Sequence, residues 1–171
     1  MKGYIQVYTG NGKGKTTAAL GLAMRVAGAG KKVFIAQFVK GMHYSELDLI
    51  KKHLPMIEIR QYGRKCFINE NPVQKDIDAA RAGLEEVADF ISSKKYNVII
   101  LDEATIALHF NLFPLEYLLT ILRNKPDQTE IVITGRYASP ELEDMADLVT
   151  EMREVKHYYQ SGVEARKGIE Y

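Results

Sequence analysis

The sequence predicts an open α/β protein, a mostly parallel sheet with helices on both faces, and three observations carry that prediction. Apolar runs of strand length alternate with stretches of helical period along the 171 residues. Runs such as "VFIA" (33 to 36) and "VIIL" (98 to 101) are apolar at every position, as strands covered by helices on both sides are. A glycine-rich turn, "TGNGKGK" (9 to 15), joins the first strand pattern directly to the first helical one.

The elements follow in order. Strand patterns are "YIQVYT" (4 to 9), "KVFIAQF" (32 to 38), "MIEIRQY" (56 to 62), "NVIILD" (97 to 102), "EIVITG" (130 to 135) and "LVTEMREV" (148 to 155). The strongest helical pattern runs from 73 to 94, with Ile77, Ala80, Leu84, Val87, Ala88 and Ile91 on one face. Asn71 and Pro72 before it read as a cap and first-turn pair. Further helices are expected at 15 to 28, 44 to 53, 114 to 123 and 140 to 147. Neither an internal repeat nor a long Ser/Gly/Pro linker divides the chain, so residues 1 to 171 are expected to form one domain.

Composition excludes several classes. Lys and Arg number 23 against 22 Asp and Glu, so no long-range field draws the chain to nucleic acid or anionic lipid. No apolar run approaches the roughly 20 residues needed to span a bilayer, and no signal-peptide pattern opens the chain. The single Cys66 has no disulfide or structural-zinc partner, which fits a reducing compartment. Together these predict a cytoplasmic protein without a nucleic-acid or membrane partner. His43, His53, His109 and His157 share no ligand spacing and read as surface or core-edge residues.

Chemistry concentrates in "YTGNGKGKTT" (8 to 17). Ligands of open α/β sheets bind beyond the carboxyl ends of the strands, where this stretch falls. Residues 9 to 14 leave the strand, and Lys15, Thr16 and Thr17 open the helix, so peptide N–H groups and the positive helix end face an anion. Gly10, Gly12 and Gly14 clear space for phosphate oxygens. Lys15 supplies a point charge and Thr16 a hydroxyl for magnesium, while Thr9, Asn11 and Thr17 complete the loop. Thr9 stands where the usual first glycine would be, and Lys13 adds a second cation suited to a long polyphosphate. The plainer alternative, a glycine-rich turn before a helix, leaves the strand–loop–helix context unexplained.

"NVIILDEAT" (97 to 105) ends an apolar strand in Asp102 and Glu103, where a nucleotide fold places carboxylates for its Mg2+. Alternatively, Glu103 caps the following helix. Arg136, after "VITG", reaches a phosphate or forms a helix-capping salt bridge. Lys40 and Gly41 end another strand, with no role evident from sequence. Phosphate loop first and acidic strand later indicate a P-loop NTPase-like (RecA-like) fold using ATP or GTP with Mg2+.

The stretch "GYIQVYTGNGKGKTTAALGLAMRVAGAGKKVFIAQFVKG" (3 to 41) resembles the start of the ATP:corrinoid adenosyltransferases of cobalamin synthesis and salvage. "VIILDEAT", "PDQTEIVITGR" and "LVTEMREVKHYYQSGVEARKGIEY" continue the likeness to Tyr171. The resemblance implies transfer of the 5′-deoxyadenosyl group of ATP to the Co(I) of a corrinoid (cobalamin, cobinamide or cobyrinic acid diamide), with release of triphosphate. It implies a triphosphate reversed along the loop, so that the 5′ carbon meets the reaction partner. Residues 10 to 17 would then hold phosphates, Lys15 and Glu103 serve catalysis, and Thr16, Glu103 and Asp102 serve Mg2+. It also implies a homodimer and an electron donor such as a reduced flavoprotein.

In that family, aromatic residues near "RQYGRKCFINEN" (60 to 71) displace the corrinoid's lower ligand. This chain has no Trp, so Tyr62 and Phe67 are the available aromatics, with packing under the loop as the alternative for Phe67. Related chains carry a basic leader before "GYIQVYTG", where this sequence has Met1 and Lys2, and another element is expected to do any covering the leader does. Two other classes predict different observations. A P-loop ATPase or small-molecule kinase would release or transfer phosphate without corrinoid, and a nucleotide-dependent binding module would bind single-stranded nucleic acid.

Overall fold

A computed structural model describes residues 2 to 64 and 71 to 171. Cys66 and Phe67 lie outside the described residues. Strands β1 (Ile5–Thr9), β2 (Val33–Phe38), β3 (Ile57–Tyr62), β4 (Val98–Asp102), β5 (Glu130–Thr134) and β6 (Leu148–Glu151) form one sheet in the order β3-β2-β4-β5-β1-β6. Every pairing is parallel. The expected mostly parallel sheet is therefore wholly parallel among the described residues. Helices are α1 (Lys15–Gly28), α2 (Ser45–His53), α3 (Gln74–Ser93), α4 (Ala104–His109), α5 (Leu115–Arg123) and α6 (Pro140–Met145).

Side-chain alternation along the buried strands makes two cores. Phe34, Ala36, Phe38, Ile99, Leu101, Ile131 and Ile133 point to the face covered by α3, α4 and α5. Val33, Ile35, Val98, Ile100 and Val132 point to the other, where Ala19 and Ala23 of α1 and Ile50 of α2 meet them. Small residues one and two turns after Lys15 let α1 lie close to the sheet and hold its N-terminus at the strand ends. The predicted face of α3 is the one it buries, through Ala80, Leu84, Val87 and Ile91.

Apart from shifts of one or two residues at other ends, three elements depart from the expected pattern. Helix α3 starts at Gln74, and Asp76 closes its first turn by accepting the Val73 N–H at 2.9 Å, so Asn71 and Pro72 precede the cap. The last strand stops at Glu151, because the next residues turn across the loop after β1 and leave the sheet. Helix α4, present in the sequence reading only as the helix that Glu103 would cap, has six residues directly after the acidic strand and is too short to establish a period. Among the described residues, no helix is long and apolar enough to cross a membrane.

Tyr62 and Gly83 fix α3 against the edge of the sheet. The Tyr62 ring lies 5.8 Å from that of Phe38, and its hydroxyl donates to Glu86. A methyl at Gly83 would fall 2.4 Å from the Tyr62 ring. Gly83→Ala is expected to cost about 1–3 kcal/mol of stability by overpacking in urea titrations, a loss that shrinks when Tyr62→Leu is added.

Candidate functional site

The site forms where the carboxyl ends of β1, β2, β4 and β5 meet the N-terminus of α1. Strand β5 lies between β1 and β4 and holds the phosphate-type loop two strands from the acidic pair, about 10 Å away at ordinary strand spacing. Side chains bridge that gap. Thr16 Oγ1 donates to Asp102 Oδ1 at 2.8 Å, and Thr134 Oγ1 donates to the same oxygen at 2.7 Å. Lys40 Nζ donates to Asp102 Oδ2 at 2.8 Å, and Gln37 Nε2 donates to it at 3.3 Å. Asp102 is 1% exposed, and this set of donors satisfies a charge that burial would otherwise make prohibitive.

Lys15 is 8% exposed and folds back over its own loop, donating to the carbonyls of Gly10 at 2.6 Å and Gly12 at 2.7 Å. Burial lowers its pKa, an effect opposed by the Glu103 and Asp102 carboxylates. For Lys40 burial acts in the same direction, but the Asp102 contact outweighs it and the pKa is raised.

Glu103 is held differently from its neighbour. It has φ 59°, in the left-handed region, and its N–H donates to Thr134 Oγ1 at 3.1 Å. The expected helix cap is there in backbone, as Glu103 precedes α4, but its side chain makes no capping bond. Burial and the nearby Asp102 charge raise the Glu103 pKa, with Lys40, Lys15 and Arg136 opposing. Arg136 is exposed, 5.9 Å from the Tyr137 ring centre, and its charge reaches both Lys15 and Glu103. Asn11 and Thr17 are exposed at the loop, whereas Thr9 is buried and its hydroxyl accepts the Ala138 N–H at 3.4 Å.

Sequence reading missed a second partner of the loop. Met152 N donates to Thr9 O at 2.8 Å, and Gly12 N donates to Met152 O at 2.6 Å. A methyl at Gly10 or Gly12 would sit 2.5 or 2.6 Å from Met152 O, so these glycines make room for the C-terminal segment. That segment returns to the loop at its end. Lys13 Nζ donates to Ile169 O at 2.9 Å and to Glu170 Oε1 at 3.1 Å, and Ser45 Oγ donates to Tyr171 O at 3.1 Å. Hydrogen bonds from Arg166 and Tyr158 hold the Glu170 carboxyl well below the ordinary range. Beside the loop, Thr9, Gly10, Asn11, Tyr137, Glu143 and Glu151 line a cleft of about 460 Å³. Tyr62 stands apart from these residues, packed between β3 and α3.

Gln37, Thr134 and Glu170 lie in the "QFVKG", "VITGR" and "GIEY" stretches of the resemblance, but no role followed from the sequence for any of them, nor for Lys40 at the same strand end as Gln37. Two consequences are measurable. A carboxyl whose pKa rises on folding loses stability as pH rises through its folded value, so Glu103→Gln is expected to raise Tm at neutral pH and to lose that gain in acid. Glu170→Gln is expected to speed hydrogen exchange at the Gly168 and Glu170 amides while the β4 and β5 amides stay protected.

The family model described as ATP:corrinoid adenosyltransferase BtuR/CobO/CobP matches residues 1–171. A corrinoid adenosyltransferase of Escherichia coli K12 is 36% identical over 99% of this chain and 86% of its own length. The corrinoid adenosyltransferase CobA of Salmonella typhimurium is likewise 36% identical over the same shares. One from Pseudomonas aeruginosa is 33% identical over 99% of this chain and 84% of its own. With a nucleotide-type loop, a buried acidic strand end and this likeness from end to end, the chain belongs to the ATP:corrinoid adenosyltransferase family and catalyses adenosyl transfer to a corrinoid.

Proposed function

We propose that residues 9 to 17 hold the triphosphate of ATP as a leaving group while Co(I) of the corrinoid attacks the ribose 5′ carbon. The cobalt electron pair forms the Co–C bond, and the C5′–O bond breaks with its electrons passing to triphosphate. The observation that carries this reading is the Thr16–Asp102 contact, which joins the loop to the acidic strand. The barrier depends on in-line positioning and on stabilising the charge that the leaving oxygen gains. Lys15 is the buried cation for that charge. Lys13 joins it by exchanging Glu170 for phosphate, and Arg136 adds charge from the rim.

The donor set fits Mg2+, which takes hard oxygen ligands and keeps phosphate and water among them. Thr16 offers a hydroxyl, while Asp102 already accepts four donors, so Glu103 is the carboxylate with free capacity. Mg2+ held by Thr16 and Glu103, oriented by Asp102, would neutralise charge on the triphosphate. The reading extends to a single domain over residues 1 to 171 acting in the cytoplasm. It also includes a homodimer, an electron donor such as a reduced flavoprotein, and Phe67 and Tyr62 as corrinoid contacts.

The test is anaerobic incubation with MgATP and reduced cob(I)alamin, following adenosylcobalamin by its spectrum and separating triphosphate from orthophosphate. Adenosylcobalamin and triphosphate are expected in equal amounts. Lys15→Ala is expected to lower kcat by about 10²–10³-fold, the usual effect of removing a stabiliser of developing charge. Orthophosphate formed without corrinoid would instead mean a hydrolase.

A further inference from the structure

Lys40 reaches Asp102 through a turn that its sequence does not favour. Val39, a β-branched residue, has φ 51°, a conformation retained only where the surroundings impose it. The imposing neighbour is the turn after β3. A methyl at Gly63 would meet Lys40 N at 2.5 Å, and one at Gly41 would meet Arg64 O at 2.4 Å. Two loops in backbone contact thus turn the Lys40 side chain inward, where it is 13% exposed, with Nζ 5.2 Å from the Tyr44 ring centre.

At its end Nζ meets two oxygens of the proposed metal site, Asp102 Oδ2 at 2.8 Å and Thr16 Oγ1 at 3.3 Å. A threonine hydroxyl has one proton and two lone pairs. The Thr16 proton goes to Asp102 Oδ1, Lys40 takes one lone pair, and one lone pair remains for a cation. A free hydroxyl would rotate among several such arrangements.

We propose that Lys40 is a positioning residue for adenosyl transfer, locking the Thr16 hydroxyl and the Asp102 carboxylate in the arrangement that receives the metal-bound triphosphate. This rests on the metal reading given above. Lys40 acts chiefly through Asp102, its nearer partner, whose carboxylate in turn holds the Thr16 hydroxyl, in the way that partners of metal ligands orient them.

The test is a cycle of Lys40→Met, Asp102→Asn and the double variant in the full chain. It is read by the Mg2+ concentration that half-saturates ATP binding in titration calorimetry and, separately, adenosyl transfer. Lys40→Met is expected to raise both concentrations about 10–100-fold with KM for the corrinoid unchanged, and Lys40→Arg to recover most of the loss. Because Lys40 works through Asp102, the double variant is expected to match Asp102→Asn alone. If the two losses multiply, Lys40 acts on the nucleotide by itself and the inference fails. An unchanged Mg2+ requirement in Lys40→Met also defeats it. Should Lys40→Met fail to fold around an unbalanced Asp102, the double variant, which removes both charges, gives the same decision against Asp102→Asn. Absence of any Mg2+ dependence in the unaltered protein would overturn the metal reading and this inference together.

Discussion

A carboxylate that is 1% exposed at the end of β4 constrains everything around it. Such a charge survives burial only if donors surround it, and removing one partner of a buried pair typically costs about 3–5 kcal/mol. The donors of Asp102 come from three other elements: Thr16 from α1, Thr134 from β5 and Gln37 from β2, with Lys40 just beyond β2. The parallel register sets Gln61, Gln37 and Asp102 side by side on adjacent strands. Gln61 donates to Gln37 at 3.2 Å and so carries the network to the far edge of the sheet. Satisfying one charge therefore aligns the strand ends and the helix that follows the glycine-rich loop.

Adjacent acids then take opposite roles. Asp102 is saturated with donors and organises its surroundings. Glu103 is turned by its left-handed backbone away from the strand direction, with its carboxylate partly buried and its pKa raised. Under the proposed metal reading this destabilised carboxylate is the cation ligand, and such sites trade stability for function. Its backbone cost is of the order of 1–2 kcal/mol, and the Thr134 hydroxyl and the start of α4 hold it in place.

The glycine-rich loop is held from both sides. Lys15 closes it from within, while Met152, Ile169 and Glu170 close it from the C-terminal segment. Lys13 pairs with Glu170, and under the proposed reading the same ammonium exchanges that carboxylate for the outer phosphate.

From the sequence alone came the alternation of elements, five of six strands nearly to the residue, the burying face of α3, the loop at 9 to 17 and the acidic strand end. These are local signals: period, apolar runs and glycine spacing depend on neighbours in the chain. Likeness along the whole length also identified the family, because motifs far apart occurred together in order. Tertiary structure alone decided the strand order, the loss of pairing beyond Glu151, and the convergence of Lys40, Gln37 and Thr134 on Asp102. It also decided that Tyr62 packs against Gly83 and that Glu170 meets Lys13, 157 positions earlier in the chain. Contacts of that kind leave no periodic trace, since a residue that meets a partner many helical turns or strand lengths away in the chain is free of any local pattern that would announce it.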